Sequence, residues 1–167
     1  PIQISIAVSG TPLENIDQSS YEVPNFYSKV NLLEHLLDDN DEFAKVLIFS
    51  PTKKMADRLQ ETMLEHFGPE LGIIHSNKTQ NTRNAAIENF NNGLNRILIA
   101  TDVIARGLDL DKITHVINFD TPQFPENYMH RIGRTGRAEE IGKTILLFSE
   151  KERTSKKAIE ALMDQKI

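Results

Sequence analysis

The segment HRIGRTGR concentrates basic side chains and glycines in one short stretch, which ends at Arg137. Its basic residues are His130, Arg131, Arg134 and Arg137, and Gly133 and Gly136 lie between them. If the segment is helical as far as its glycines allow, His130, Arg134 and Arg137 occupy positions i, i+4 and i+7 and project from one face. Cations held together without acidic neighbours in sequence favour an anionic ligand, and guanidinium groups match phosphate oxygens. The alternative is a solvated basic helix end that pairs with surface acids.

The segment ATDVIARGLD, residues 100–109, directly follows an apolar run. Thr101 and Asp102 fall at the predicted strand end, and Arg106 and Gly107 follow a short apolar turn. Asp109 supplies an acceptor suited to a ribose hydroxyl. The alternative is a loop whose Asp and Thr side chains cap a short helix.

Ser50, Pro51 and Thr52 follow another apolar run and open a predicted helix. Their hydroxyls and the first amides of the helix could hold a phosphate at the positive end of the helix dipole. The alternative is simple capping of the helix by Ser50 or Thr52.

Gln80 and Arg83 are three residues apart, near the start of the next predicted helix, and so share one face. They are candidates for a ligand contact, with ordinary surface residues as the alternative. His75 stands alone at a predicted strand end, and we interpret it as a structural residue rather than a ligand.

These polar segments alternate with short apolar runs, which predicts a parallel sheet covered by helices. The sequence therefore predicts an α/β fold: a single domain with a mostly parallel central sheet and helices on both faces. Ligands bind beyond the carboxyl ends of the strands in such sheets, where the polar segments fall. The predicted strands are Gln3 to Val8, Ile16 to Val23, Lys45 to Phe49, Gly72 to Ile74, Arg96 to Ala100, His115 to Asn118 and Thr144 to Phe148.

Two apolar stripes at helical spacing predict helices that pack on this sheet. The first is Phe26, Val30, Leu33 and Leu37, and the second is Met55, Leu59, Met63 and Phe67. A last helix is expected after Ser149, because Ser149 and Glu152 have the spacing of a capping box, and it should run towards Met163.

Composition indicates an ordinary globular domain, with 167 residues and 39% hydrophobic content. The chain contains no cysteine, which excludes disulfides and thiolate metal sites. Its formal net charge of −5 predicts that any nucleic-acid site is local. Acidic side chains predicted to lie in exposed turns are Asp38, Asp39, Asp41, Glu42, Glu139 and Glu140. No apolar stretch reaches the ~20 residues of a membrane span, and cytoplasm is the expected location.

Taken in order, LIFSPT, QNTR, ATDVIARGLD and HRIGRTGR resemble motif IV, the QxxR motif, motif V and motif VI of the DEAD-box RNA helicases. The resemblance extends from about Ile2 to Phe148 and implies the second of the family's two RecA-like lobes. Within the family the chain looks most like the bacterial RhlE-type branch. No Gly-rich loop that ends in Gly-Lys-Thr or Gly-Lys-Ser occurs, and the acidic Asp-Glu-Ala-Asp box is absent as well. The resemblance therefore implies that ATP and Mg²⁺ are held mainly by a first lobe absent from this chain.

The resemblance also implies a role for each matching residue. Arg134 and Arg137 would be arginine fingers for the γ-phosphate, and His130 would couple that site to RNA. Gly107 and Asp109 would contact the nucleotide. The RNA path would be lined by Thr52, Arg83, Thr101 and Arg106. The isolated lobe is expected to be a monomer that binds RNA weakly and has no ATPase activity.

One position departs from the family pattern, because Ser76 rather than glycine follows His75. This departure raises a question about the loop that leads to Gln80 and Arg83. Two other functions remain open at this point: a stand-alone RNA- or protein-binding module of the same fold, and the matching lobe of a DNA helicase.

Overall fold

A computed structural model describes residues 15–102, 110, 112–135 and 142–167. These residues form six β-strands, five α-helices and two short 3-10 turns. The strands are β1 (Ile16–Glu22), β2 (Val46–Ser50), β3 (Leu71–Ile74), β4 (Ile97–Thr101), β5 (His115–Asn118) and β6 (Gly142–Phe148). The α-helices are α1 (Phe26–Leu37), α2 (Lys53–Phe67), α3 (Gln80–Asn91), α4 (Pro125–Ile132) and α5 (Arg153–Met163).

The six strands form one sheet in the order β1-β6-β5-β2-β4-β3. Each neighbouring pair is parallel. This confirms the predicted α/β fold with a parallel central sheet. Because parallel strands point the same way, the loops that follow them all leave from one edge.

The predicted strands within the described residues are all present, with ends displaced by at most two residues. The strand His115–Asn118 has the predicted bounds, and β6 begins at Gly142 rather than Thr144. Every residue of β2, β4 and β5 is buried, as expected for continuous apolar runs covered on both faces. The predicted strand Gln3 to Val8 lies outside the described residues.

Helices cover both faces of the sheet. The stripes of α1 and α2 pack with Ile145 and Leu147 of β6 in one cluster of buried residues. Leu146, which lies between them in the strand, packs instead with α4 and α5. Since successive strand residues point to opposite faces, α1 and α2 cover one face, and α4 and α5 cover the other. Both predicted helix stripes are confirmed as core, with Phe26 and Met55 partly buried at its margin.

Side chains cap the starts of several helices, as their sequences favour. Asn25 and Thr52 accept hydrogen bonds from the third residue of α1 and α2, and Thr79 does the same for α3. The predicted capping box is confirmed, with the Ser149 amide donating to Glu152 at 2.9 Å. A 3-10 turn at residues 150–152 precedes α5, which ends at Met163 as predicted.

The acidic turn after α1 is exposed, as its composition predicts. Asp38, Asp39, Asp41 and Glu42 all lie at the surface. Asp38 pairs with His66 at 2.7 Å, and Glu42 pairs with Lys143. The other predicted acidic turn, at Glu139 and Glu140, lies outside the described residues.

Candidate functional site

The carboxyl ends of β2, β4 and β5 lie side by side and bring separate polar segments together. Ser50 at the end of β2 pairs with Thr101 at the end of β4. Phe49 pairs with Asn118 at the end of β5. Segments that are far apart in sequence therefore meet at one edge of the sheet, which is the candidate functional site.

Arg131 of α4 forms the buried centre of this edge. Its side chain is 1% exposed and donates two hydrogen bonds to Asp102, from Nε to Oδ1 at 2.7 Å and from Nη2 to Oδ2 at 2.9 Å. Nη1 donates to the backbone oxygen of Asp120 at 3.1 Å and to Asn118 Oδ1 at 3.4 Å. The guanidinium also lies over the ring of Phe49, 5.2 Å from its centroid. Arg131 therefore fastens α4 to the ends of β4 and β5.

This arrangement gives Arg131 a role that the sequence analysis does not assign. The basic segment has no acidic neighbours in sequence, but the partners of Arg131 are Asp102 and Asp120, which lie on other elements. They escape a search of the neighbouring sequence because only the fold brings them close. Arg131 is thus a structural cation, and the ligand-facing candidates in this segment are His130 and Arg134.

The helical spacing predicted for the basic residues does not extend beyond the glycine at position 133. The helix α4 ends at Ile132, and the amides of Arg134 and Thr135 donate to residues three positions back, at 3.2 Å each. Thr135 Oγ1 then donates to the Ile113 carbonyl at 2.8 Å, which holds the chain in this turn. Arg134 therefore projects from a turn rather than from position i+4 of a helix. Both His130 and Arg134 are half-buried.

Asp120 lies beside Arg131 with an unsatisfied oxygen. Its Oδ1 is 3.7 Å from Nη2 of Arg131 and has no hydrogen-bond partner in the described part of the chain. Burial raises the pKa of Asp120 from 3.8 to about 6, although the charge of Arg131 opposes this shift. The neighbouring Glu152 raises the pKa further, and Lys29 lowers it.

Glu152 links three elements close to Asp120. Its Oε2 accepts from the Thr121 amide at 2.7 Å, and its Oε1 accepts from the Ser149 amide at 2.9 Å. Lys29 of α1 donates to the same Oε1 at 3.3 Å. The turn after β5 is therefore held from one side by Arg131 and from the other by Glu152.

Thr52 caps α2, which is the alternative that the sequence left open. Its Oγ1 accepts from the Met55 amide at 3.1 Å, and the residue is exposed. The hydroxyl proton is not used by this bond, so Thr52 can still donate to a ligand. Ser50 is fully buried, and its Oγ has no hydrogen-bond partner among the described residues.

His75 is a structural residue at the end of β3, as predicted. It is 1% exposed, its Nε2 lies 2.8 Å from Asp57 Oδ1, and its Nδ1 accepts from the Asn77 amide at 3.2 Å. Lys53 donates to Asn77 Oδ1 at 3.2 Å, which ties the start of α2 to the same loop. Ser76 is not among the described non-glycine residues with positive φ. Its backbone therefore needs no glycine.

Gln80 and Arg83 lie in the first turn of α3, on the same edge. Gln80 Nε2 donates to Asn84 Oδ1 at 2.8 Å. Arg83 is half-buried, and its Nε is buried without a hydrogen-bond partner among the described residues. The Nε atom is closed to solvent, but the half-buried guanidinium lies in the first turn of a helix, where an anionic ligand is favoured.

Four of the predicted site residues lie outside the described residues: Arg106, Gly107, Asp109 and Arg137. Thr101 is described and is 7% exposed, so little of its surface is accessible. Within the described ranges, His, Asp and Glu side chains form no group that could hold a metal ion. No helix in those ranges has the length and apolar character to span a membrane.

Residues 28–139 match the family model described as the helicase conserved C-terminal domain. The chain is also 38% identical over 162 residues to ATP-dependent RNA helicase p62 of Drosophila melanogaster, covering 95% of this chain and 22% of that protein. It spans between 14% and 34% of the length of the curated relatives that it matches.

Solved structures agree in both fold and sequence. The E. coli DEAD-box protein SrmB, bound to regulator of ribonuclease activity A, superposes with a TM-score of 0.84 at 32% identity, covering 91% of this chain and 88% of that one. This chain is a C-terminal helicase domain of the DEAD-box family. The S. cerevisiae protein Dbp5, bound to RNA and ADP BeF3, superposes with a TM-score of 0.80 at 29% identity, covering 92% of this chain and 41% of that one.

Direct contacts join the motifs of this DEAD-box domain in pairs. The bidentate Asp102–Arg131 pair links the motif V segment to the motif VI segment. The Lys53–Asn77 bond and the His75–Asp57 pair link α2, which follows motif IV, to the loop that precedes the QxxR segment. Each motif is therefore positioned by contacts that its own sequence does not contain.

Proposed function

We propose that this domain is the second lobe of an ATP-dependent RNA helicase. In this proposal Arg134 and Arg137 act as arginine fingers towards ATP held by a first RecA-like lobe of the same polypeptide. The domain also supplies part of a sequence-independent RNA-binding surface for local duplex unwinding. Alone, it binds RNA weakly and does not hydrolyse ATP.

The observation that carries this proposal is the buried pairing of Arg131 with Asp102 and Asp120. Asp102 and Asp120 would repel a phosphate at this edge, and Arg131 offsets part of their negative charge by pairing with Asp102 and lying beside Asp120. His130 and Arg134 lie at the end of α4 and just after it, and both are half-buried. Fingers of this kind contribute ~10³ to 10⁵ in phosphoryl-transfer rate, because they neutralise charge in the transition state.

The donor set of this edge suits a phosphate better than a metal ion. Asp102 is engaged by Arg131, and the described His, Asp and Glu side chains form no group that could hold a metal ion. Mg²⁺ and most contacts to ATP are therefore assigned to the first lobe. Gly107 and Asp109 would contact the nucleotide, and His130 would couple its site to RNA.

The RNA-binding surface is proposed along the starts of α2 and α3. Neither helix has an acidic residue in its first turn, so the positive end of each dipole is not offset there. Thr52 and Arg83 offer unused donors, and Thr101 and Arg106 would extend the path. Because such groups contact phosphates and sugars, binding should be independent of sequence and sensitive to salt. The RNA bound to the related Dbp5 supports this choice of ligand.

The proposal also covers the branch of the family, the cellular location and the oligomeric state. We place the parent protein in the RhlE-type branch and in the cytoplasm, and we expect the isolated domain to be monomeric. The names of the curated relatives favour RNA over DNA as the substrate. Competition between RNA and DNA oligonucleotides of one sequence tests that preference.

The proposal is tested by joining this domain to the first lobe of a DEAD-box relative. RNA-stimulated ATPase activity should appear, and Arg134→Ala with Arg137→Ala should lower kcat by about 10³ or more. Arg153→Ala is the matched control, because Arg153 lies on α5 and pairs with Glu22. Undiminished ATP turnover after both finger substitutions would contradict the proposal.

A further inference from the structure

An aromatic and cationic cluster lies between the starts of α1 and α2, outside the site described above. It consists of Phe26 and Tyr27 of α1, Arg58 of α2 and Phe119 after β5. The ring of Phe26 contacts Phe119 edge to face, with centroids 5.6 Å apart. Phe119 is 2% exposed, so Phe26 is anchored on the core.

Arg58 is held against this anchor by stacking. Its guanidinium carbon is 3.8 Å from the centroid of Phe26 and 5.5 Å from that of Tyr27. The side chain makes no ion pair or hydrogen bond within the described ranges. A guanidinium that stacks by its face keeps its N–H donors available around its rim. Arg58 therefore presents an exposed positive charge in a fixed orientation.

Tyr27 completes the cluster with an exposed ring. It is 64% exposed, and it meets Phe26 at 87° with centroids 5.3 Å apart. Its hydroxyl forms no hydrogen bond to any described residue. An exposed aromatic face beside an oriented guanidinium is the arrangement that binds a nucleobase by stacking and its phosphate by charge.

The electrostatic surroundings favour a polyanion. The starts of α1 and α2 lie at this edge, and neither has an acidic residue in its first turn. Lys53 and Lys54 are exposed in the first turn of α2, directly after Thr52. Lys53, Lys54 and Arg58 thus place positive charge between the proposed RNA contact at Thr52 and the cluster, and Asp57, which pairs with His75, is the acidic residue between them.

We infer that Tyr27 and Arg58 form an accessory binding site for single-stranded RNA, in which Tyr27 stacks on a base and Arg58 pairs with a neighbouring phosphate. This inference rests on the proposed RNA-binding function and extends the RNA path onto the α1–α2 face. The site reads no base identity, because every base has a face that can stack.

The test compares two strands of about 12 nucleotides, one with uracil bases and one with the same backbone and no bases. Fluorescence anisotropy on this chain measures the affinity for each strand. Tyr27→Ala should weaken binding to the uridine strand between about fivefold and a hundredfold, and leave the abasic strand unaffected. Arg58→Ala and Arg83→Ala should weaken binding to both strands.

Controls separate stacking from folding defects. Tyr27→Phe should bind like the parent chain. Tyr21→Ala should also have no effect, because Tyr21 is an exposed tyrosine on β1. A strand carrying 4-thiouridine should crosslink to the peptide that contains Tyr27 in the unmodified chain.

Two failures are distinguishable. If Tyr27→Ala and Arg58→Ala bind both strands like the parent while Arg83→Ala weakens both, the accessory site is wrong and the RNA-binding function stands. In that case the α1–α2 face is left for a protein partner. If the parent chain binds neither strand, the proposed function fails and the accessory site fails with it.

Discussion

Arg131 and Asp102 are 29 positions apart in sequence, yet their side chains meet in a two-bond pair beneath the surface of the site. The pair joins the last turn of α4, which leads to Arg134, to the residue that follows β4. The geometry of the cationic segment therefore depends on a residue that cannot itself reach a ligand.

Breaking this pair should destabilise the domain strongly. Arg131→Ala leaves the Asp102 carboxylate without its buried partner and should cost about 3–5 kcal/mol of unfolding free energy. Arg131→Lys should recover only part of this loss, because an ammonium cannot supply the two-pronged geometry. Urea denaturation followed by circular dichroism measures the effect. Arg153→Ala, in the exposed pair with Glu22, should change stability little. Equal losses of unfolding free energy in Arg131→Ala and Arg153→Ala would contradict a special structural role for the buried pair.

Asp120 should make stability depend on pH. Its folded-state pKa is about 6, above the value of 3.8 expected in the unfolded chain. Between these values the folded state binds more protons, so this contribution to stability falls as pH rises from about 4 to 6. Asp120→Asn removes the contribution. The stability of the parent relative to this variant should therefore decrease from pH 4.5 to pH 7, on the order of 1–3 kcal/mol. If the difference in stability between the parent chain and Asp120→Asn does not change with pH, Asp120 does not titrate in this way.

Arg83 should contribute one phosphate contact to RNA binding. Arg83→Ala should weaken binding of uridine oligomers and reduce the slope of log K against log salt concentration by about 1. Anisotropy titrations at several salt concentrations measure both quantities. Lys157→Ala is a suitable control, since Lys157 is exposed on α5. An unchanged slope in Arg83→Ala would remove Arg83 from the RNA path.

Thr52 should have separable roles in folding and in binding. Thr52→Ala loses the cap on α2 and should cost about 1 kcal/mol in urea denaturation. Thr52→Ser keeps a hydroxyl in the same place and should restore both stability and RNA affinity. If serine restores stability but not affinity, the methyl group rather than the hydroxyl is what RNA contacts.

Ser76 should be compatible with full function. Because its backbone does not require positive φ, Ser76→Gly should leave RNA affinity unchanged. The glycine should lower stability by about 0.4–1 kcal/mol, because it gives the unfolded chain more freedom. Tighter RNA binding by Ser76→Gly would show that serine impairs the loop.

The sequence predicts the fold well because burial leaves a simple pattern. The strand Val46–Ser50 is buried on both faces and is therefore a continuous apolar run up to Phe49. The apolar residues from Val30 to Leu37 recur at helical spacing. Both patterns arise from local geometry and need no knowledge of distant residues.

The site is predicted less completely, because its decisive contacts are long-range. Helical spacing separates Arg131 from the face of His130 and Arg134, but it does not show what Arg131 contacts. Only the fold reveals that Arg131 points inward to Asp102 and Asp120. The end of α4 at Ile132 is indicated locally by Gly133, whereas the hydrogen bond from Thr135 to Ile113, which holds the following turn, is long-range.

The turn at Asp120 and Thr121 is hydrogen-bonded to Arg131 of α4 on one side and to Glu152 on the other. Glu152 also accepts a hydrogen bond from Lys29 of α1. Hydrogen bonds to this one turn therefore connect α4 with α1, although the two helices lie on opposite faces of the sheet. When a nucleotide binds near the end of α4, we therefore expect the domain to move as a rigid body, with little change in the relative positions of α4 and α1.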